Sequence, residues 1–403
     1  MEMRYGRTIV LFIAIVTFAT TVQSEAQVSL YPQVSAETNA MGGAGVSFVS
    51  DNALATIANP AELGLFSLDG VLSASYLGKV PEQLSAFAVN AGLGLSPLRL
   101  SVPFKLGLGI GYSNPRYSYP YRFGFVPRTQ TDAVNALTLG LGLQYVVRLA
   151  LGYTLKWVTT EGTPGYYRST YAPDLGAMLQ IPVMNVISKL SGFRVSSAES
   201  AVPFLDITLG YSKRNLANYD PYSSAEVPRE ADLGWNFELG LRARIRHVAW
   251  RLLSFTWVRQ AEASLVSNQD TTVSYMNGLG GFQVYDNLLA GKLASSAVLL
   301  KGWQLGLASL VYLRGGSVSQ AQSRFNALGT HISTFGWGVR LDGLIKTLLF
   351  LHLLHARSYI VNVLLNDIDL RFDYSRTNGP LPYSYAQTVF LWRPMATLSL
   401  VIR

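Results

Sequence analysis

Along "LGWNFELGLRARIR", residues 233–246, apolar and polar side chains alternate without a break. Leu233, Trp235, Phe237, Leu239, Leu241, Ala243 and Ile245 form one set; Gly234, Asn236, Glu238, Gly240, Arg242, Arg244 and Arg246 form the other. An extended chain sends successive side chains to opposite faces, so this rhythm predicts a strand with one wholly apolar face. In "DIDLRFDY", Ile368, Leu370, Phe372 and Tyr374 oppose Asp367, Asp369, Arg371 and Asp373. In "FGWGVRLD", Phe335, Trp337, Val339 and Leu341 oppose Gly336, Gly338, Arg340 and Asp342. "LALGYTLKW", "DLGAMLQIP", "FLDITLGYSK", "KLGLGIGYS" and the closing "ATLSLVIR" alternate in the same way.

Extended along the chain, the pattern predicts about fourteen strands, an even number that returns both ends to one side of a sheet. They fall near 68–78, 84–95, 99–112, 134–147, 148–160, 173–182, 204–214, 232–246, 248–260, 282–301, 303–314, 331–343, 357–375 and 385–403. Long connections at 113–133, 161–172, 214–231, 261–281, 315–330 and 376–384 then share one side. Short turns such as "SPL" and the join at Arg148 share the other. In the stretch 183–203, "VMNVISKLSGF" reads as a short amphipathic helix, whereas "GLIKTLLFLHLLH" fits either a helix or part of a strand.

Such strands suit either a soluble sandwich, apolar face inward, or a transmembrane barrel, apolar face outward. Context favours the barrel. The predicted strands run to about 10–15 residues, beyond the ~5–6 of soluble sheets and suited to a tilted membrane crossing. Glycine is common on the polar face, and aromatic residues gather near strand ends, as in "YSNPRYSYPYRFGF". Hydrophobic residues make up 49% of the 403 and charged residues only 14%, with a mean hydropathy of +0.23. Past the first residues no apolar run approaches the ~18 that a spanning helix needs. The sequence therefore predicts an all-β fold: an antiparallel transmembrane β-barrel of about 14 strands. An Arg at the lipid midplane costs ~2–4 kcal/mol, so the charged set is expected to line the lumen: Glu238, Arg242, Arg244, Arg246, Arg340, Asp342, Asp367, Asp369, Arg371 and Asp373. Carboxylates on other strands are the expected partners of the cations.

The front of the chain breaks the rhythm. Arg4 and Arg7, the apolar "TIVLFIAIVTFAT" and Ser24-Glu25-Ala26 read as a secretory signal peptide, residues 1–26. Residues 27–67 follow as a separate segment, and 68–403 form the barrel. Within the segment, "NAMGGAGVSFVSDNALATIANPAELGLF" is rich in Gly and Ala, apolar, and neither helical nor alternating in pattern. The chain has no cysteine, which excludes disulfides, thiolate metal sites and Cys nucleophiles. Of the four histidines, His352 and His355 form an HxxH with no nearby acid, and His247 lacks a serine motif; His331 stands alone. No metal, cofactor or catalytic residue is expected. The net charge of +8 is read as lumenal and loop arginines, without a nucleic-acid partner.

The segment "AMGGAGVSFVSDNALATIANPAELGLF" resembles the N-terminal segment of FadL-type outer-membrane proteins, especially the PorV/PorQ branch. The matching positions are Met41-Gly42-Gly43, Val46 to Val49, Asp51 to Leu54, and Asn59-Pro60-Ala61. "LALGYTLKW", "DLGAMLQ", "LGYSKRNLA" and "ADLGWNFELGLRA" fit the same branch. The resemblance implies a 14-stranded barrel whose N-terminal segment folds into the lumen as a hatch, with Met41, Gly42, Gly43, Asp51, Asn59, Pro60 and Ala61 as its motif. It also implies residence in the outer membrane of a Gram-negative-type bacterium, among its lipids. The terminal Arg403 departs from the aromatic residue with which such barrels commonly end. Two functions follow from the resemblance. The PorV/PorQ branch implies a non-enzymatic accessory of protein secretion that contacts exported proteins or secretion components. FadL itself implies passive transport of fatty acids or other hydrophobic small molecules. The lumen-facing positions assigned above are largely Gly, Asn, Asp and Arg, which favours the accessory.

Overall fold

Fourteen of the strands close on themselves. The structure is a computed structural model that describes residues 35–78, 84–95, 104–123, 126–161, 167–191, 201–216, 229–245, 248–269, 272–275, 278–279, 283–293, 297–320, 330–351, 353, 361, 363–364, 367–378 and 394–402. The predicted signal peptide, Arg246, His247, His352 and His355 lie outside these residues. In chain order the strands are β1 (Leu72–Leu77), β2 (Leu84–Leu95), β3 (Lys105–Phe123), β4 (Val126–Gln144), β5 (Arg148–Glu161), β6 (Tyr167–Tyr171), β7 (Asp174–Pro182), β8 (Val202–Arg214) and β9 (Glu230–Ile245). There follow β10 (Val248–Ser264), β11 (Val266–Gln269), β12 (Thr272–Tyr275), β13 (Ala297–Leu307), β14 (Val311–Gln320), β15 (Thr330–Arg340), β16 (Ile368–Asn378) and β17 (Met395–Ile402). Each barrel strand pairs antiparallel with its neighbours, and β1 meets β17 from Leu72↔Ile402 to Leu77↔Thr397. The short β6 extends the ladder on β5 above β7, while β11 and β12 form a separate hairpin.

Burial is inverted relative to a water-soluble sheet. On β16, Leu370 and Phe372 are exposed while Asp369, Arg371 and Asp373 are buried. On β9, Leu239 and Leu241 are exposed while Asn236 and Glu238 are buried. An apolar belt outside and polar groups inside are what hydrocarbon around the ring demands.

Several elements differ from the sequence expectation. The connection predicted at 113–133 is mostly ladder, since β3 and β4 stay paired out to Phe123↔Val126. Polar cross-strand bonds such as Tyr112 Oη to Asn135 Oδ1 (2.8 Å) and Ser118 to Thr131 (3.0 Å) hold it without an amphipathic rhythm. The strands predicted at 282–301 and 303–314 are displaced. Val284–Leu289 is a wide helical turn, and the chain reverses at Ala308 and Ser309, both at positive φ (53° and 51°). Neither residue announces a turn. The strand predicted at 331–343 stops at Arg340, where a helix Leu341–Phe350 begins, so Asp342 is helical and bonds Lys346 at 2.7 Å. The predicted strand 68–78 starts only at Leu72, after a helix Glu62–Ser67. For the predicted 357–375 and 385–403, strand is described at Ile368–Asn378 and Met395–Ile402, and residues 357–360 and 385–393 lie outside the described residues. The helix expected after residue 182 runs from Val183 to Ser191.

Candidate functional site

Residues 35–68 lie against the inner faces of the strands, and they are nearly all buried. Side chains from many strands take up the segment's backbone polar groups, which could not stay buried unpaired. Ala36 N donates to Thr397 Oγ1 (3.1 Å), Gly42 N to Thr334 Oγ1 (2.9 Å), and Ala53 N to Ser75 Oγ (3.0 Å). Gln260 Oε1 accepts from both Gly45 N and Val46 N, at 2.9 and 3.0 Å. Asn90 Nδ2 donates to Ala53 O (3.2 Å), and Asn39 Nδ2 to Ser375 Oγ (2.9 Å).

The motif residues share these contacts. Met41 is buried against Val258, Leu300, Val318 and Ile332. Gly42 and Gly43 have φ of 67° and 83°, a region that L side chains avoid. Asn59 is fully buried; its Nδ2 donates to Val46 O at 2.7 Å and its Oδ1 accepts from Ala61 N at 3.0 Å, tying two turns together. Pro60 presses on the wall at Gly152, where any Cβ would sit 2.1 Å from its carbonyl carbon. Ala61 is buried with Leu65, Leu68, Ala150 and Met178.

Charge fastens the segment. Its acids are Glu37, Asp51 and Glu62. Arg314 Nη2 donates to Glu37 Oε1 at 2.9 Å, while its Nη1 bonds Asp373 (2.5 Å) and its Nε bonds Gln304 (2.6 Å). Arg371 bonds Asp51 through Nη2 and Asp369 through Nε at 2.7 Å. Arg340 Nη2 lies 3.9 Å from both Glu37 and Asp51, its guanidinium over Tyr312. Glu62 accepts from Ser50 N, and its Oε2 has no hydrogen-bond partner among the described residues. Burial pushes the Glu62 carboxyl well above the ordinary carboxylate range, and the nearby Glu37 and Asp51 push it the same way.

The remaining expected charges are placed as follows. Arg242 bonds Asp206 (3.1 Å), and Glu238 bonds Arg251 (2.6 Å). Arg244 pairs with Ala249 in the ladder, and Asp367 is half-buried just before β16. Arg246 is not among the described residues. Sequence reasoning missed Arg314, because the strand was placed across the Ala308–Ser309 turn and its face could not be read. It also missed a second network, in which Arg214 meets Glu230 (3.0 Å), Asp232 (2.7 Å) and Glu262 (3.2 Å). Beside it, Lys156 meets Asp174 at 2.7 Å. Gln260 Nε2 bonds Asp232 at 3.0 Å, linking that network to the Gly45 and Val46 amides.

Towards the long-connection end, β8–β10 carry the Arg214 network on the inner wall, and other strands there are apolar. Leu77, Leu84, Ala86, Ala88 and Met395 meet Leu54 and Ile57 of the segment. Across the lumen Val258, Leu300, Val318 and Ile332 meet Met41 and Phe48. Val134, Ala136, Val158 and Ala172 form a further buried apolar cluster of wall residues alone. The only hydroxyl–imidazole contact among the described residues is Ser319 Oγ to His331 Nδ1 (2.8 Å), across two strands.

A closed antiparallel ring, apolar outside and charged inside, defines a transmembrane β-barrel. No protein-family model matches the sequence, and no curated protein matches it. Solved structures do, all at low identity, and among them are several outer-membrane transport barrels. The Pseudomonas putida toluene transporter TodX is 10% identical, with 94% of this chain and 98% of that one covered and a TM-score of 0.35. The CymD monoaromatic hydrocarbon channel is 11% identical (92% and 96% covered, TM-score 0.36). A Pseudomonas aeruginosa FadL homologue is 9% identical (94% and 99% covered, TM-score 0.39).

Proposed function

We propose that this protein is a passive outer-membrane channel for hydrophobic small molecules, closed by residues 35–68 acting as a hatch. The observation that carries the reading is the apolar part of the inner wall at the long-connection end, where Ile332, Val318, Val158 and Leu84 face inward. Leu54, Ile57 and Phe48 of the segment pack against this apolar surface, which an oily solute would meet once the segment shifts. The Glu37–Arg314 and Asp51–Arg371 pairs hold the segment in place, so passage requires it to shift. No chemistry is asked of the wall; burial of apolar surface supplies the affinity, at ~25 cal/mol per Å².

Uptake of an apolar fluorophore by whole cells tests this. Deletion of the gene is expected to slow uptake, wild type to restore it, and Val318→Asp/Ile332→Asp to fail while still assembling. Equal uptake by all three strains defeats the reading. The order of the motifs from Met41-Gly42-Gly43 to "ADLGWNFELGLRA" favours a second reading, a secretion accessory of PorV/PorQ type. Unchanged uptake together with co-purification of an exported protein's C-terminal domain would select it.

A further inference from the structure

A charge on the outward face of a membrane barrel is costly, and like charges opposed across a ladder destabilise it. Arg259 on β10 and Lys301 on β13 are both: cross-strand partners, pointing outward. Their inward neighbours establish the facing, since Gln260 bonds the N-terminal segment and Leu300 packs on Met41. Among the described residues neither cation is paired with a carboxylate. Asp286, the acid of the segment lying over them, is held by Lys292 at 2.7 Å. Arg259 donates from Nη1 to Leu289 O (2.7 Å), and its buried Nε has no hydrogen-bond partner among the described residues.

Depth in the membrane follows from the tryptophans. Trp257 and Trp303, one step below on the same two strands, are cross-strand partners and exposed. Trp235 stands beside Arg259 and contacts Trp257 edge-on at 5.7 Å. Tryptophan settles at the headgroup boundary, and a two-residue step is ~7 Å along a strand, which lifts the cations to the level of lipid phosphates. The two heads also converge. A Cβ on Gly291 would lie 3.2 Å from Arg259 Nη1 and 3.6 Å from Lys301 Nζ, and the glycine's φ of +73° keeps that place open. One row higher, Ser319 and His331 add hydrogen-bonding groups on the same wall.

We propose that Arg259 and Lys301 form a binding site for a phosphate monoester carried by a lipid of the outer leaflet. A monoester holds up to two negative charges and matches two converging cations, whereas the diester of an ordinary phospholipid holds one. The site depends on the barrel spanning the outer membrane with its long connections outside, and not on what the lumen carries.

The full-length protein, placed in phosphatidylcholine nanodiscs containing lipid A, would be examined by native mass spectrometry. Phosphorylated lipid A should remain bound, and dephosphorylated lipid A or phosphatidylglycerol should not. Arg259→Gln/Lys301→Gln should retain at least about tenfold less lipid A. The same variant in lipid-free neutral detergent should melt no lower than wild type, because a repulsive pair has been removed. Retention that ignores the phosphate monoester, full retention by the variant, or a lower melting point in detergent would overturn the site. None of these readouts depends on solute uptake.

Discussion

At the scale of single residues, the interior is held by carboxylates and arginines that hydrocarbon would not tolerate on the outside. Glu37→Gln leaves Arg314 with one carboxylate fewer at a site that is 0% exposed. Removing one partner of a buried pair should lower stability by about 3 kcal/mol, read as a reduced urea midpoint. Glu62 behaves oppositely. Its folded pKa is raised above the ordinary 4.5, so its contribution is fully present below that pH and is lost as pH rises through the raised value. Glu62→Gln mimics the protonated form. The thermal midpoint of the variant minus that of wild type should therefore grow with pH above about 4.5, and a flat difference would refute the raised pKa.

At the scale of elements, close approach of backbones decides where the N-terminal segment sits. Gly152 admits Pro60, and Gly210 admits the Val46 carbonyl, against which a Cβ would sit 2.0 Å away. Gly152→Val should unseat the Asn59–Pro60 turn, and Asn59→Ala/Pro60→Ala should loosen it; both are expected to raise single-channel conductance in planar bilayers. Unchanged conductance would leave the segment without a blocking role. The β13–β14 turn is a second case, with Ala308 and Ser309 in the left-handed region. Replacing Ala308 with Gly should stabilise the barrel by about 1 kcal/mol, seen as a higher thermal midpoint. These elements also mark how far the sequence could be read. Where each residue faced either lipid or a polar lumen, as on β9 and β16, the alternation gave strand and facing together. It failed where that contrast lapsed: in the paired β3–β4 extension, at the unmarked Ala308–Ser309 turn, and at Arg340, where amphipathic strand passes into amphipathic helix.

At the scale of the whole molecule, closure rests on β1, six residues long, meeting β17. Each strand is stable only with both neighbours, because an open edge in lipid leaves N–H and C=O groups unpaired. Removal of residues 395–403 should therefore abolish the folded barrel, observed as loss of the heat-dependent shift in electrophoretic migration. Six registered pairs join the two ends, and the rest of the ring depends on them.

Alternation, the scarcity of charge and the lack of a long apolar helix were enough, from the sequence alone, to imply an all-β membrane barrel of about fourteen strands with Arg242, Arg340 and Arg371 turned inward. Those properties are local, since each depends on a residue and the solvent its face meets. The tertiary structure alone decided which acid meets which arginine: Glu37 with Arg314 is separated by 277 positions in sequence, and Asp51 with Arg371 by 320. It alone decided that a set of apolar positions at one end shares the lumen, because strands far apart in sequence had to be brought around it before Leu84, Val158, Val318 and Ile332 could be seen together. The convergence of Arg259 and Lys301 has the same origin. Pairing across a closed ring is set by register, and register is a property of the folded chain.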